Sequence, residues 1–250
     1  EIGDLVCNEA DYTYTVSAEK ATITKYNGTD TAIQVPATLG GYPVGAIGSS
    51  TFANNKTLQT VCLSSEITSI DAWAFENCSA LTTVYFPNSL TTINAGAFEN
   101  CTALTEISLP NGLKTINGSA FNGCTGFTAI ELPDSVTTIG GSAFSSCTNL
   151  ESINIPANWS SAGSSIFYNC SKLTNMTVPE GVTDIPSSAF ANANCLKSIE
   201  LPSTLTTIGA WAFENCTVLS TINFPESLTT IDTGAFENCT ALTEISLPNG

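Results

Sequence analysis

Phenylalanine stands at positions 52, 75, 98, 121, 144, 167, 190, 213 and 236, and every step between them is 23 residues with no insertion. A spacing held over nine copies requires each interval to occupy an equivalent turn of a stacked superhelix. Other slots obey the same period. Eight places before each Phe stand Val44, Ile67, Leu90, Leu113, Val136, Trp159, Val182, Leu205 and Leu228. Five before it is Ile, except for Ala162, and six after it is Leu, except for Phe127. Pairs such as Val84 and Phe86, or Ile107 and Leu109, follow nine and eleven places after. These slots predict the inward positions, about eight per coil at ~1.5 to 3 kcal/mol for each large apolar side chain. Much of that gain is offset by ordering entropy. One coil alone has nothing to stack on.

Within a coil, Leu104, Ile107 and Leu109 alternate as a short strand would, and stacked copies predict a parallel sheet at ~4.8 Å per coil. Pro follows at 87, 110, 133, 156, 179, 202, 225 and 248, where the missing N–H ends strand pairing. Leu113 to Ile116 reads as a second short strand, and Ala97 to Asn100 as a single tight helical turn. Two places after Phe stand Asn, Gly123 or Ser146, which suggests a left-handed backbone or an asparagine ladder between coils. Trp73 and Trp211 sit two places before their Phe, where other coils carry Ser or Gly. They are read as packing over a neighbouring turn or as interface residues. The stretch from Asn158 to Ile166 departs from the pattern and reads as a repacked core, in which Trp159 and Ala162 compensate in volume, or as a kinked recognition site.

Residues 1–43 lie outside the strict repeat. Tyr12 to Val16 and Ala21 to Tyr26 alternate as two strands around Ser17 to Lys20, predicting a β-hairpin that caps the first coil. Residues 44–250 then hold about nine repeats, the last one incomplete. Residues 70–112 and 208–250 differ at only 9 of 43 positions at an offset of 138, which is six repeats. The pattern predicts a further coil after Gly250, and a start at Glu1 reads as a processed or trimmed terminus.

The six basic residues are all Lys, against 22 acids, giving a net charge of −16 with no Arg and no His. That field repels phosphate backbones and anionic lipid, so neither nucleic-acid binding nor membrane-surface binding is expected. No window reaches the ~18 to 20 apolar residues of a membrane span. Without His or Arg the usual catalytic triads and anion clamps are out of reach. Glu106 and Glu131 form the best carboxylate pair for a glycosidase, but carboxylates at regular intervals on a sheet face read as solvated side chains. The expectation is a chain that is not an enzyme and has no cofactor. Cys78, Cys101, Cys124, Cys147, Cys170, Cys216 and Cys239 share one slot. Parallel stacking points their Cβ atoms the same way instead of at each other, so they read as buried free thiols, neither disulfides nor metal ligands. Cys7 and Cys62 are read as lone thiols or as one staple between cap and solenoid. The repeat itself generates Asn-x-Thr sequons such as Asn100-Cys101-Thr102, which makes them weak marks of glycosylation.

The unit Ile93-x-x-x-Ala97-Phe98-x-x-Cys101-x-x-Leu104-x-x-Ile107-x-Leu109-Pro110-x-x-Leu113-x-x-Ile116 follows Val35-Pro36-x-x-Leu39-Gly40-Gly41-Tyr42-Pro43-Val44-x-x-Ile47-Gly48. Together these resemble the BspA-like family of leucine-rich-repeat surface proteins over about residues 12–250. The resemblance implies a curved right-handed leucine-rich-repeat solenoid, with a parallel concave β-sheet and short strands and 3-10 turns on its convex side. It further implies an extracellular or cell-surface protein that adheres to a protein or glycan ligand, a host matrix protein among the candidates. It supplies no catalytic residues and no fixed binding motif. Leucine-rich-repeat geometry turns the residues eight and ten after each Phe toward the concave side. The candidate ligand face is therefore Thr83, Tyr85, Glu106, Ser108, Glu131, Ser152, Asn154, Asn175, Thr177, Ser198, Glu200, Thr221, Asn223, Glu244 and Ser246. That face is polar and acidic, with Tyr85 its one large aromatic. It reads equally as a merely soluble surface, in which case the chain is a spacer in a cell-envelope protein.

Overall fold

The structure, a computed structural model, describes residues 5–157 and 161–249. Asn158, Trp159 and Ser160 lie outside the described residues, and so does the expectation that Trp159 compensates for Ala162. Each 23-residue interval is one coil of a solenoid, and equivalent residues pair in parallel, as Thr92 does with Thr115 and Thr115 with Thr138. Two strand faces run along the axis. The concave one is built from Ala32–Gln34, Thr60–Cys62 and Thr83–Tyr85, then Ala129–Ile130 with Ser152–Ile153, then Asn175–Thr177 with Ser198–Glu200. The other carries Tyr42–Ile47, Ser69–Ile70, Thr92–Ile93 and their equivalents up to Thr230–Ile231.

The third side of each coil is a run of turns in which backbone N–H groups alternate in direction. Ala97, Glu99 and Cys101 donate to the carbonyls three residues back, while Gly96, Phe98 and Asn100 donate to Gly118, Ala120 and Asn122 of the next coil. This alternation satisfies the buried backbone without a helix. It requires a left-handed residue two places after each Phe, and φ there is 57° at Asn77, 57° at Asn100 and 72° at Gly123. The same side chains also form the ladder. Asn77 Nδ2 donates to Asn54 Oδ1 at 3.1 Å, Asn100 to Asn77 at 3.1 Å, Asn215 to Asn192 at 2.8 Å and Asn238 to Asn215 at 2.9 Å. The left-handed backbone and the asparagine ladder thus coexist in one slot.

The core is a column of rings. Consecutive Phe side chains from Phe52 to Phe236 stack face to face, with centroids from 4.7 Å (Phe52 and Phe75) to 6.1 Å (Phe144 and Phe167) apart. Each such pair is worth about 0.5 to 1.5 kcal/mol beyond burial. The N-terminal hairpin, Tyr12–Ser17 with Lys20–Tyr26, closes through Ala18 and Glu19, both left-handed as a type I′ turn demands. Its second strand pairs with Tyr42–Ile47. Tyr26 lies 5.2 Å from Phe52 and Tyr12 lies 5.2 Å from Tyr26, so the hairpin prolongs the ring column by two.

The seven thiols of the shared slot are free, and all are buried. Each Sγ donates to the carbonyl of the Phe 26 residues earlier, as in Cys101 to Phe75 at 3.1 Å and Cys124 to Phe98 at 3.1 Å. The slot selects Cys because it is small and apolar yet offers that carbonyl a second donor. Burial pushes the thiols of Cys78, Cys170 and Cys216 up to about 12. Cys7 and Cys62 are free as well, so there is no staple between them. Gln34 lies beside Cys62 in the sheet register and its amide donates to the Cys62 carbonyl at 3.2 Å.

Candidate functional site

The concave face is where the strand ladder is least regular. Pairing holds from Ala32 to Tyr85, lapses across residues 106–108, and resumes at Ala129. Two oversized inward rings flank the lapse. Phe86 occupies the slot that Leu109 fills one coil later and meets Phe98 edge-on at 5.8 Å, while Phe127 replaces Leu and meets Phe121 edge-on at 5.9 Å. Each adds a ring between coils that stack elsewhere through aliphatic groups. The concave segment carrying Glu106 and Ser108 runs unpaired between them, while the other sides of its coil stay bonded to the neighbours. A third ring of this kind, Phe224 against Phe236 at 5.8 Å, lies where the 221–223 segment also forms no strand.

Across the lapse lies an open depression of about 850 Å³, floored by Ala129, Ile130, Ser152 and Ile153 and edged by Glu106, Glu131, Asn154, Asn175 and Thr177. A neighbouring recess of about 440 Å³ takes in Ser108, Asn111, Glu131 and Asp134. The small side chains of Ala129 and Ser152 set the floor low, and the two glutamates stand over it. Seven of the fifteen candidate residues are thereby gathered at one place: Glu106, Ser108, Glu131, Ser152, Asn154, Asn175 and Thr177. Thr83 and Tyr85 sit on the regular sheet before it, and Tyr85 is exposed. Ser198, Glu200, Thr221, Asn223, Glu244 and Ser246 lie on the coils beyond, and all but Ser198 are exposed.

Several of these groups already have partners within the protein. The Asn154 amide clamps Leu132, accepting from its N–H at 2.6 Å and donating to its carbonyl at 2.8 Å. It thus extends the link between these two coils past the end of their strand pairing, Ala129–Ile130 with Ser152–Ile153. Ser198 donates to Asn175 Oδ1 at 2.8 Å and Thr177 to Glu200 Oε2 at 3.2 Å. What the site offers a ligand is chiefly carboxylate and carbonyl acceptors around an apolar floor. Among the described residues no group of three or more His, Cys, Asp or Glu is placed to hold a metal ion, and no helix is long and apolar enough to cross a membrane.

The BspA type leucine-rich repeat region model matches this chain over residues 45–174 and 161–250, in six copies. No curated protein matches it by sequence. Among solved structures, a leucine-rich repeat protein from Bacteroides ovatus is 25% identical and superposes with a TM-score of 0.75, covering 98% of this chain and 82% of that one. The T. pallidum leucine-rich repeat protein TpLRR is also 25% identical, with a TM-score of 0.66 over 85% of this chain and 90% of that one. The pneumococcal vaccine antigen PcpA shares the fold at 20% identity and a TM-score of 0.50, over 92% and 78% of the two chains.

Proposed function

Because the chain belongs to the BspA-type leucine-rich repeat family, we propose that it is a non-catalytic binding module of the cell surface or extracellular space. It adheres to a protein or glycan, a host matrix protein among the candidates, through its concave face. The supporting observation is the depression between Glu106 and Thr177, lined by six of the candidate residues, with Ser108 in the recess beside it. Glu106 and Glu131 give it acceptors for hydroxyl, amide or ammonium donors, and the net charge of −16 steers basic partners toward it. The surface location rests on the resemblance of the repeat and of the Gly40-Gly41-Tyr42-Pro43 entry segment to surface proteins of that family.

The second reading, a spacer within a larger envelope protein, draws on the engagement of Asn154, Thr177 and Ser198 in bonds between coils. Attachment of the purified chain to immobilised matrix proteins and to a glycan panel separates the two. Tyr85→Ala combined with Glu131→Lys is expected to lower attachment at least tenfold. Attachment that is unchanged in that variant supports the spacer.

A further inference from the structure

Trp73 and Trp211 are the most exposed aromatic side chains described, at 47% and 43%, and their backbone is the least suited to carrying them. The slot two places before each Phe is left-handed in every coil, with φ of 56° at Trp73 and 54° at Trp211. Five coils place Ser here and two place Gly. A bulky side chain at positive φ is strained, and such strain gathers at functional sites. The fold imposes the angle through bonds that need no ring: Trp73 N–H to Ala95 O at 2.9 Å, and Trp211 N–H to Thr233 O at 2.9 Å. Ser50 and Ser188 make the equivalent bonds, to Ala72 and Ala210. Stacking of coils does not account for tryptophan at these two places.

The following coil is shaped to the indole. Gly appears in this slot only where Trp precedes it by one coil, as Gly96 and Gly234. A Cβ on either glycine would lie 2.5 Å from the indole Cδ1 of Trp73 or Trp211, so one edge of each ring rests on bare backbone. The same points are 3.1 Å from Glu99 Oε2 and 3.2 Å from Glu237 Oε2, which puts a carboxylate beside each ring. A tryptophan that anchors a protein interface sits in a desolvated pocket ringed by close-packed neighbours. Here a flat indole, nearly half exposed, lies beside a carboxylate and bare backbone.

We propose that Trp73 and Trp211 are twin stacking platforms for the sugar rings of an uncharged polysaccharide, on the turn side of the solenoid and separate from the concave depression. The electron-rich indole face takes the C–H face of a pyranose, and the Glu99 and Glu237 carboxylates accept from its hydroxyls in charge-assisted bonds. Acid beside each ring, on a chain of net charge −16, excludes polyanionic glycans. The platforms are six coils apart, roughly 30 Å along the axis at strand spacing. One polymer chain engages both, and linkage multiplies two weak contacts.

The test is affinity electrophoresis of the whole chain in gels containing mannan, dextran or a β-1,3-glucan, with tryptophan fluorescence as a second readout. At least one of the three polymers is expected to retard the protein and shift its emission. Trp73→Ser and Trp211→Ser should each weaken that retention tenfold or more, and the double variant should abolish it. Ser is native to this slot in five coils, so these variants keep the fold and melt at or above the parent temperature. Val16→Ser, at an exposed apolar residue of the N-terminal hairpin, should leave retention unchanged. Retention by none of the polymers, or full retention by the double variant, overturns the proposal.

Discussion

Residues 96–112 and 234–250 are the same seventeen-residue sequence at two places in one solenoid, and they differ in what lies on one side of them. Their turns from Gly96 to Cys101 and from Gly234 to Cys239 share one conformation. φ is 62° at Gly96 and 64° at Gly234, and 57° at Asn100 and 59° at Asn238. The turn bonds match as well, with Glu99 to Gly96 and Glu237 to Gly234 both at 2.9 Å. Burial does not match. Leu109 is 8% exposed and Leu247 is 62%, and in the segments leading into the two copies Ile93 is 0% and Ile231 is 38% exposed. The N–H groups of Gly96, Phe98 and Asn100 reach the next coil, whereas no coil follows Gly234, Phe236 and Asn238 in the structure. Coil conformation is therefore a local property of the 23 residues, and the hydrophobic stabilisation is a property of adjacent pairs of coils. That is the nearest-neighbour behaviour of a one-dimensional array.

The sharpest way to break this comparison is to delete the same ring in both contexts. Phe98→Ala opens a cavity between two rings at 5.0 and 5.3 Å and is expected to lower the unfolding free energy by about 3 to 5 kcal/mol. Phe236→Ala has a stacking partner on one side only and should lose about 1 to 2 kcal/mol. Urea denaturation of the two variants measures both losses, and equal values would show that burial by the following coil contributes nothing. A smaller effect of opposite sign should come from appending a copy of residues 113–135 after Gly250. This gives the second copy the neighbour that the first one has. Stability should rise by roughly 1 to 3 kcal/mol, and the amides of Phe236 and Asn238 should gain hydrogen-exchange protection. No gain in protection would mean that the coil interface is not transferable.

The same distinction explains what could be read from the residues alone. A property carried by the 23-residue period was legible: the solenoid, the inward slots, the left-handed asparagine position, the buried thiols. Properties that depend on the fit between two particular coils were not. Phe86 and Phe127 both count as inward apolar residues, and only the orientation of their rings shows that they bracket an unpaired strand. Asn154 looks like any exposed polar residue on the strand, yet its amide turns back to clamp Leu132. The thiol bond to the Phe carbonyl depends on the position of the preceding coil. The Trp73 and Trp211 platforms did leave a signal, since Gly replaces Ser at 96 and 234, one coil after each Trp. The left-handed φ that gives this signal its meaning belongs to the structure.

The finest version of the comparison uses the thiols. Cys101 is fully enclosed and its thiol is pushed well above the ordinary value of 9.0 by burial; Cys239, in the matching slot of the last coil, is raised by the same cause but sits at the rim of the core. A raised folded-state value favours the protonated thiol. The contribution to stability is complete below pH 9, and it is lost as pH rises above 9, because the unfolded chain ionises first. The melting temperature should therefore fall more steeply above pH 9 than it does in a Cys101→Ala variant. At pH 8, with Cys7, Cys62 and Cys195 changed to Ser, a thiol reagent should modify Cys239 at least tenfold faster than Cys101, read by peptide mass mapping. Thiolate fraction and access both favour the last coil. Appending the extra coil should then slow Cys239 toward the rate of Cys101, because both thiols would be covered by the same following coil.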